Sequence, residues 1–375
     1  MLPDCRSVVG TTRVAVTLEQ CWHRMPGGTA RAAVETTTSL LAHHPELDLI
    51  GVSARHRRLP APPHRPPIPV RSLPLPRLAL YEAWHRLRRP PVDRVTGPVD
   101  VIHATGLAVP PPSAPVVWTL HDLAWRRDPS SFTAWGVRFF EAALARAIED
   151  ADLVLCPTRA TIEDAVAAGL DRERMRLVPL GVRPVAVSDE QRRSVRRRHG
   201  LEREYVLSVG TAEPRKNLGT LIEAFARMER TDVDLVMVGP AGWNENLGPR
   251  TDRLGDRVRT LGFVADDELA ALYAGAAAFA YPSRWEGFGL PVLEAMVAGA
   301  PVVTSAATAT AEVAGDAALL VDPIDADALS TALTELLEDT ALSTRLVDAG
   351  RARAATFTWE RTAALTAAAY AEVAR

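Results

Sequence analysis

The chain has 375 residues, an apolar fraction of 47% and a formal net charge of −3, values typical of a soluble globular protein with two domains. Its three cysteines, Cys5, Cys21 and Cys156, are an odd number without metal-ligand spacing, which excludes a disulfide framework and indicates a reducing compartment. The sequence shows neither a secretory signal nor an apolar run long enough to span a bilayer, so we expect a cytoplasmic protein.

In the first half, short apolar runs alternate with helical patterns. The strand candidates are RVAVTL, LDLIGV, DVIHA, PVVWTL, DLVLCP and RLVPL, with helical patterns such as TARAAVETTTSLLAHH and FFEAALARAIEDA between them. Continuously apolar strands separated by helices indicate a parallel sheet that is covered on both faces. We therefore predict a doubly wound domain over residues 1–184.

One stretch of this half, Arg55 to Arg94, contains ten arginines against only Glu82 and Asp93 and is rich in proline. Two interpretations stay open. The stretch is either a long solvated loop or an electropositive edge that meets anionic lipid or a phosphorylated acceptor, as at the inner face of a membrane. We expect no nucleic acid partner, because the aromatic residues that stack on bases are scarce here.

The second half repeats the alternation with YVLSVG, DLVMVGP, AAFAYP, PVVTS and ALLVDP as strand candidates. Helical patterns such as NLGTLIEAFARM and DDELAALYAG lie between them. We predict a second doubly wound domain over residues 185–356, facing the first across a cleft. Residues 357–375 read as a C-terminal helix that we expect to pack back toward the N-terminal domain.

Lys216 is the only lysine among the 43 basic residues that are not histidine; all the others are arginine. It follows the strand candidate that ends at Gly210 and precedes a predicted helix, which places it with Arg215 at the ligand-binding edge of a parallel sheet. Two cations beside a helix N-terminus favour a phosphate. A chance surviving surface lysine is the alternative.

A second cluster follows the strand AAFAYP. It holds Glu286 and Glu294, eight residues apart, with Gly287 and Gly289 between them. We predict a tight turn at the glycines and a helix over 290–298, so that both carboxylates are directed at one crevice. Carboxylates accept hydrogen bonds well from sugar and ribose hydroxyls.

These segments resemble the retaining, nucleotide-sugar-dependent glycosyltransferases of family 4, which have the two-domain GT-B fold, and most closely their mannosyltransferase-like branch. The motifs that carry the resemblance are GTAEPRKNLGTLIEAF, LGFVADDELAALYAGA, PSRWEGFGLPVLEAMVAGAPVV, EVAGDAALLVDP and FTWE, in that order. The N-terminal half is similar only through MPGGTARAAVE and WTLHDL, as expected for a domain that recognises variable acceptors.

The resemblance implies a role for each matching residue. Lys216 and Arg215 would bind the donor diphosphate, and Glu294 would hold the ribose. Glu286 would hold sugar hydroxyls, and His121 would contact the sugar near its reacting carbon. The implied donor-binding residues are Gly28, Arg215, Lys216, Glu286, Gly287, Phe288, Gly289, Leu290 and Glu294, and the implied catalytic residues are His121, Glu286 and Lys216. A role for His121 as a helix-capping residue remains the alternative.

The sequence departs from the family pattern at two positions. Thr211 stands where many relatives have an arginine, and Ala311 stands where a proline usually precedes the glutamate, here Glu312. We expect no metal, because Asp232 and Asp234 fall at the end of their strand away from the ligand edge. No cofactor is expected either, since the nucleotide-sugar is a substrate.

The expected activity is the transfer of a hexose, mannose from GDP-mannose in the first place, to a glycan or lipid-linked acceptor. Three other classes of protein compete with this interpretation. A dehydrogenase is disfavoured because Gly-x-Gly-x-x-Gly is absent after RVAVTL. A sugar-nucleotide epimerase of the same fold and a non-catalytic sugar-nucleotide-binding protein stay open.

Overall fold

The computed structural model describes residues 11–23, 26–242, 245, 247–306 and 308–374; Cys5 lies outside these ranges. The first half forms a seven-stranded parallel sheet in the order β3-β2-β1-β4-β5-β6-β7. Its strands are β1 (Thr12–Thr17), β2 (Leu47–Ser53), β3 (Val70–Ser72), β4 (Val101–Ala104), β5 (Val116–Thr119), β6 (Leu153–Cys156) and β7 (Met175–Leu177).

Both faces of this sheet are buried, which explains why its strands are apolar without alternation. In β1, Ala15 packs in the same cluster as Trp118, whereas Val14 and Val16 pack on the opposite face. The covering helices are α1 (Gly27–His43), α2 (Arg77–Glu82), α3 (Asp93–Thr96), α4 (Ala124–Arg127), α5 (Ala134–Asp150) and α6 (Arg159–Ala167). The predicted doubly wound architecture is therefore found in this half.

The arginine-rich stretch is more structured than the solvated-loop interpretation assumed. It contains β3 at the sheet edge, helix α2, a π-helical turn over Ala83–Leu87 and helix α3. Leu80 and Trp84 are almost fully buried. The sequence patterns did not predict these elements, because the stretch is rich in proline, which usually marks turns.

The second half forms a six-stranded parallel sheet in the order β10-β9-β8-β11-β12-β13. Its strands are β8 (Glu204–Val209), β9 (Val233–Val238), β10 (Val258–Gly262), β11 (Ala278–Tyr281), β12 (Val302–Ser305) and β13 (Leu319–Val321). The helices are α7 (Asp189–His199), α8 (Leu218–Arg227), α9 (Gly248–Thr251), α10 (Asp266–Ala274), α11 (Leu290–Ala298), α12 (Ala309–Ala314), α13 (Ala326–Glu338), α14 (Thr340–Ala354) and α15 (Trp359–Val373).

The last helix, α15, packs against α1 and against β5 and β6 of the first sheet. Tyr370 is fully buried in the core cluster that covers one face of that sheet. The chain before α15 crosses the linker between the sheets at Gly181, where a Cβ atom would lie 2.4 Å from the backbone nitrogen of Trp359. Only glycine fits at this crossing. The boundaries at 184/185 and 356/357 stay predictions.

Within the described residues, no helix combines the length and the apolar character that crossing a membrane requires.

A buried histidine joins α15 to the sheet. The side chain of His103, on β4, lies with Nδ1 2.7 Å from the Tyr370 hydroxyl and Nε2 2.8 Å from Thr119 Oγ1. Burial, with a smaller contribution from the nearby His121, lowers the pKa of His103 from 6.5 to about 3. The imidazole is therefore neutral in the folded protein at neutral pH.

This neutral imidazole predicts a pH dependence of stability. The unfolded chain binds a proton at His103 below about pH 6.5, whereas the folded chain does so only near pH 3. The free energy of unfolding therefore falls as the pH drops through this window, by about 2 kcal/mol between pH 7 and pH 5 from this residue alone. Urea unfolding at both pH values should show a smaller difference for His103→Gln than for the wild type. An equal difference would exclude His103 as the source.

Candidate functional site

The carboxyl ends of β8 and β11 place the predicted basic residues in a turn that is firmly anchored. Pro214–Lys216 forms a 3-10 turn after β8, and Asn217 follows it with a left-handed φ of 57°. The buried Asn217 amide donates to the carbonyls of Pro282, at 3.1 Å, and Pro323, at 2.5 Å. These bonds tie the turn to the ends of β11 and β13, so that Lys216 has a fixed base.

The Lys216 ammonium lies in a nearly closed setting. Its Nζ is 2.6 Å from the Tyr281 hydroxyl and 2.7 Å from Glu286 Oε1, and its side chain is only 11% exposed. Nζ also lies 4.9 Å from the centre of the Tyr281 ring, within the range of a cation–π interaction. The lone lysine is thus part of a built cluster, and the alternative of a chance surface lysine is wrong.

Arg215 joins the same cluster from the other side. Its guanidinium contacts Glu286 Oε2 at 2.8 Å and Glu213 Oε1 at 2.6 Å, and it donates to the Trp285 carbonyl at 3.0 Å. Glu286 therefore accepts from both cations, with one oxygen for each. The two positive and two negative charges of this partly desolvated cluster therefore cancel.

The charges of the cluster act on one another strongly because little water screens them. Burial by itself raises the pKa of Glu286, but the positive charges of Arg215 and Lys216 outweigh it and lower that pKa from 4.5 to about 2. Burial and the nearby Arg215 lower the pKa of Lys216, and Glu286 opposes them. Glu286 is therefore an anion throughout the physiological range, suited to accept hydrogen bonds and unsuited to donate a proton.

Glu294 lies one turn inside α11, as predicted, but with partners that the sequence did not indicate. Its Oε1 is 2.6 Å from Arg31 Nη1, and its Oε2 accepts a hydrogen bond of 3.0 Å from the Tyr273 hydroxyl. Arg31 belongs to α1 of the first domain, one turn after Gly27. This ion pair therefore spans the cleft between the two domains. Gly28 lies nearby, since a Cβ atom there would be 3.7 Å from Leu290 of α11.

The glycine turn after Glu286 is packed against the first domain. A Cβ atom at Gly287 would lie 1.8 Å from the His121 carbonyl oxygen. The Gly287 carbonyl accepts hydrogen bonds from Thr158 and Thr161, at 3.0 and 3.2 Å. Phe288 is buried with its ring 5.8 Å from that of Phe357. The turn is therefore a contact between the domains.

Gly289 and Leu290 complete the predicted turn. Gly289 has a φ of 105°, and Leu290 begins α11 with its side chain buried. Gly289 has no side chain and that of Leu290 is buried, so neither residue offers a polar side chain to a ligand.

His121 lies just beyond β5, on the cleft side of the first domain. Its Nε2 is 3.1 Å from the Thr105 carbonyl, and because a carbonyl only accepts, this nitrogen carries the proton. Burial lowers the pKa of His121, so the ring is neutral with a free lone pair on Nδ1. The side chain that bonds the first N–H of α4 is Asp122, at 3.0 Å. The helix-capping alternative for His121 is therefore wrong.

Glu312, whose role the missing proline had left open, bridges the domains. Its carboxylate accepts from the backbone N–H groups of Arg159, at 2.9 and 3.0 Å, and of Ala160, at 3.2 Å. These are the first N–H groups of α6, which have no partner within their own helix. Glu312 thus stabilises the N-terminus of a helix in the other domain.

Four residues that the sequence did not single out contact predicted site residues: Arg31, Tyr273, Tyr281 and Glu213. Arg31 lies within the quoted motif MPGGTARAAVE, and Glu213 lies within GTAEPRKNLGTLIEAF, two positions before Arg215. Nothing in their local pattern separated the tyrosines from ordinary core residues. Only the folded chain shows that their hydroxyls reach charged groups.

The two candidate metal-ligating aspartates are each paired with arginine. Asp232 lies 2.7 Å from Arg230, and Asp234 contacts Arg203 at 2.9 Å and Arg259 at 3.3 Å. Among the described residues, no group of three or more His, Cys, Asp or Glu side chains could hold a metal ion.

Two family sequence profiles match consecutive parts of the chain. The profile of Glycosyltransferase Family 4 matches residues 26–185, and that of Glycosyl transferases group 1 matches residues 189–353. The O-antigen chain mannosyltransferase B of Escherichia coli is 33% identical over 280 residues, which cover 72% of this chain and 74% of the relative. The chain belongs to the family 4 glycosyltransferases.

A second relative of this glycosyltransferase is the GDP-mannose-dependent alpha-(1-6)-phosphatidylinositol monomannoside mannosyltransferase of Mycolicibacterium smegmatis. It is 32% identical over 248 residues, which cover 62% of each chain. Other mannosyltransferases are also similar. The predicted mannosyltransferase-like branch is confirmed.

Among solved structures, Anabaena HepE in complex with UDP and glucose superposes on this glycosyltransferase with a TM-score of 0.75. The match covers 96% of this chain and 100% of HepE at 20% sequence identity. A likeness at this identity concerns the fold, and it confirms the predicted GT-B architecture of two doubly wound domains.

The close contact at Gly287 makes a steric prediction. In Gly287→Ala the new methyl group meets the His121 carbonyl, so the domains must move apart or the turn must shift. We expect the free energy of unfolding to fall by about 2 kcal/mol, with a loss of glycosyl transfer. Gly106→Ala is the matched control, because its methyl group would lie at an ordinary 3.5 Å from Gln20. Equal stability of the two variants in urea unfolding would contradict the tight contact.

Proposed function

We propose that this glycosyltransferase moves mannose from GDP-mannose to a glycan or lipid-linked acceptor, with retention at the anomeric carbon and without a metal ion. The observation that carries the proposal is the pairing of Arg215 and Lys216 with one carboxylate, Glu286, opposite His121. The cluster holds two cations at the sheet edge where ligands of doubly wound folds bind.

A diphosphate suits this cluster because its charge matches the two cations. Glu286 neutralises both cations, at 2.7 and 2.8 Å. When Glu286 turns to the hydroxyl groups of the sugar, Lys216 and Arg215 are released to the diphosphate oxygens. Glu213 stays beside Arg215 and keeps its guanidinium in place. The N-terminus of α1 at Gly28 adds backbone N–H groups from the opposite side of the cleft.

Glu294 is the carboxylate proposed for the ribose. Its carboxylate is held by Arg31 and Tyr273. A ribose hydroxyl that donates to Glu294 takes over part of this bonding. The neutral His121 is proposed to accept from a sugar hydroxyl through Nδ1, which restricts how the sugar can lie.

In the proposed chemistry, the protein mainly positions the two substrates and stabilises the charge of the leaving diphosphate. The acceptor hydroxyl attacks the anomeric carbon on the face from which the diphosphate leaves, and its proton passes to a leaving phosphate oxygen. Lys216 and Arg215 stabilise the negative charge that develops on the diphosphate. Glu286 is an ion-paired anion with a pKa of about 2, so it is unsuited to serve as the proton donor.

The choice of guanine over uracil as the donor base rests on the names of similar proteins, and not on a residue of this chain that contacts the base. The M. smegmatis relative is named GDP-mannose-dependent, whereas the more distant HepE was solved with UDP and glucose. We therefore propose GDP-mannose as the donor.

Thermal unfolding with GDP, UDP, GDP-mannose, UDP-glucose and NAD, in the presence of a chelator, tests the donor. A nucleotide at about 100 times its dissociation constant raises the free energy of unfolding by about 2.7 kcal/mol. We expect GDP and GDP-mannose to stabilise the protein and NAD to have no effect. Stabilisation by UDP and UDP-glucose alone would show that the donor base is uracil and not guanine. Stabilisation that appears only when manganese is added would contradict metal independence.

The lysine provides the control for this experiment. Lys216→Ala should abolish both the shift and the transfer while the fold remains intact. Lys216→Arg should be impaired, because a rigid planar fork cannot occupy the place of a compact ammonium between Tyr281 and Glu286. Release of GDP with formation of an α-linked product, followed by NMR of the anomeric proton, separates a transferase from an epimerase or a non-catalytic binder.

The first domain also offers a surface for the acceptor side, and we propose that it contacts an anionic membrane. Leu78 and Leu87 are 56% and 70% exposed, and the nearby Trp135 is 49% exposed. Phe139 packs against Trp135 and against the α2 segment, which joins the two parts of this surface. Exposed apolar side chains among arginines suit a lipid surface of negative charge.

Sedimentation with vesicles tests this contact. We expect the protein to bind vesicles of phosphatidylglycerol and phosphatidylcholine, and to be released by salt. Arg86→Glu combined with Arg89→Glu should abolish binding, whereas Arg193→Glu on α7 of the second domain should not. Equal binding to purely zwitterionic vesicles, or no binding at all, would remove the membrane from the proposal and leave the phosphorylated acceptor.

A further inference from the structure

The Tyr281 hydroxyl contacts both the Lys216 ammonium and the Glu286 carboxylate, the two charged groups that the donor is proposed to separate. Tyr281 is the last residue of β11 and is only 2% exposed, so the strand fixes its backbone and the core fixes its ring. Its hydroxyl lies 2.6 Å from Lys216 Nζ and 3.1 Å from Glu286 Oε1. Since Nζ and Oε1 are themselves 2.7 Å apart, the three polar atoms form a closed triangle.

The chemistry of the partners determines the direction of each bond. An ammonium only donates and a carboxylate only accepts, so the Tyr281 hydroxyl accepts from Lys216 and donates to Glu286. Burial, followed by the charge of Glu286, raises the pKa of Tyr281 well above its usual value, so the hydroxyl keeps its proton. Tyr281 therefore does not act as a base. It holds an ammonium with a neutral oxygen.

We propose that Tyr281 is a positioning residue that keeps the Lys216 ammonium in place while Glu286 moves to the sugar. The proposal rests on the donor-binding role proposed above for Lys216 and Glu286. Lysine has a flexible stem, so an ammonium that loses its carboxylate partner would otherwise swing away or lose its proton. The hydroxyl and the ring face of Tyr281 remain as partners, and neither cancels the charge that the diphosphate needs.

Two other tyrosines of the same domain show that this arrangement is specific. The Tyr273 hydroxyl donates to Glu294 at 3.0 Å, on the ribose side. The Tyr205 hydroxyl, equally buried, donates to the Leu272 carbonyl at 2.7 Å. Tyr205→Phe therefore removes a buried hydroxyl of the same kind without touching Lys216, which makes it the matched control.

The single lysine permits a direct measurement that needs no substrate. In protein labelled with carbon-13 lysine, the side chain of Lys216 gives one Cε signal whose pH titration reports its pKa. The charged groups that face it are Arg215 and Glu213 from its own turn and Glu286 from the loop after β11. Tyr281→Phe leaves these three charged residues in the sequence. A shift in the pKa of Lys216 therefore reports the loss of the Tyr281 hydroxyl.

We expect Tyr281→Phe to lower the pKa of Lys216 by about one pH unit, because the ammonium loses a hydrogen bond to a charged donor. Tyr205→Phe should leave it unchanged. Tyr281→His, which offers a ring nitrogen as acceptor, should restore part of the difference and serves as a second variant if the phenylalanine form fails to fold. An unchanged pKa in folded Tyr281→Phe would overturn the proposal.

Kinetics then relate this position to the reaction. For Tyr281→Phe we expect kcat to fall about tenfold and the alkaline limb of kcat/KM to move to lower pH by the amount found in the titration. Tyr205→Phe should lower neither. If the wild type transfers no sugar from any donor, the proposed function fails, whereas the lysine titration still decides the role of Tyr281. A fall in kcat without movement of the alkaline limb would reduce Tyr281 to a structural role.

Discussion

The site of this glycosyltransferase depends on one carboxylate that pairs with two cations away from bulk water. Glu286 holds Lys216 and Arg215 at hydrogen-bond distance, and the exposed fractions of the three side chains are 9%, 11% and 18%. Removing one member from such a buried cluster leaves the others uncompensated, so the three positions constrain one another. The same pairing keeps both cations in place, and the diphosphate role proposed for them depends on a ligand that brings its own negative charge.

The second constraint is that the cleft closes through backbone contacts. The Gly287 turn touches the His121 carbonyl, and its own carbonyl is bound by Thr158. Glu312 adds hydrogen bonds to the first N–H groups of α6 in the opposite domain. Together with α15, which returns to the first sheet, these contacts hold the cluster around Glu286 next to His121 of the first domain. The position of the two domains is therefore part of the site.

Much of the fold was predictable because the strands are buried on both faces. Runs such as RVAVTL and YVLSVG read as parallel strands, and they became β1 and β8. The arginine-rich stretch was less predictable, since β3 is only three residues long and lies among prolines that usually mark turns. Its burial arises from packing of Leu80 and Trp84 against residues distant in sequence, which no local pattern reports.

The sequence by itself determined the two doubly wound domains, the family and the residue types of the candidate site, because glycine turns and charged residues after strands have local requirements. It also singled out Lys216, since one lysine among arginines stands out in composition alone. Only the tertiary structure decided which charges meet. Arg31 pairs with Glu294 across the cleft, and Tyr281 joins Lys216 to Glu286, because side chains far apart in sequence are brought together by sheet order and domain contact. Electrostatic partners depend on distances in space, and these exist only once the chain has folded.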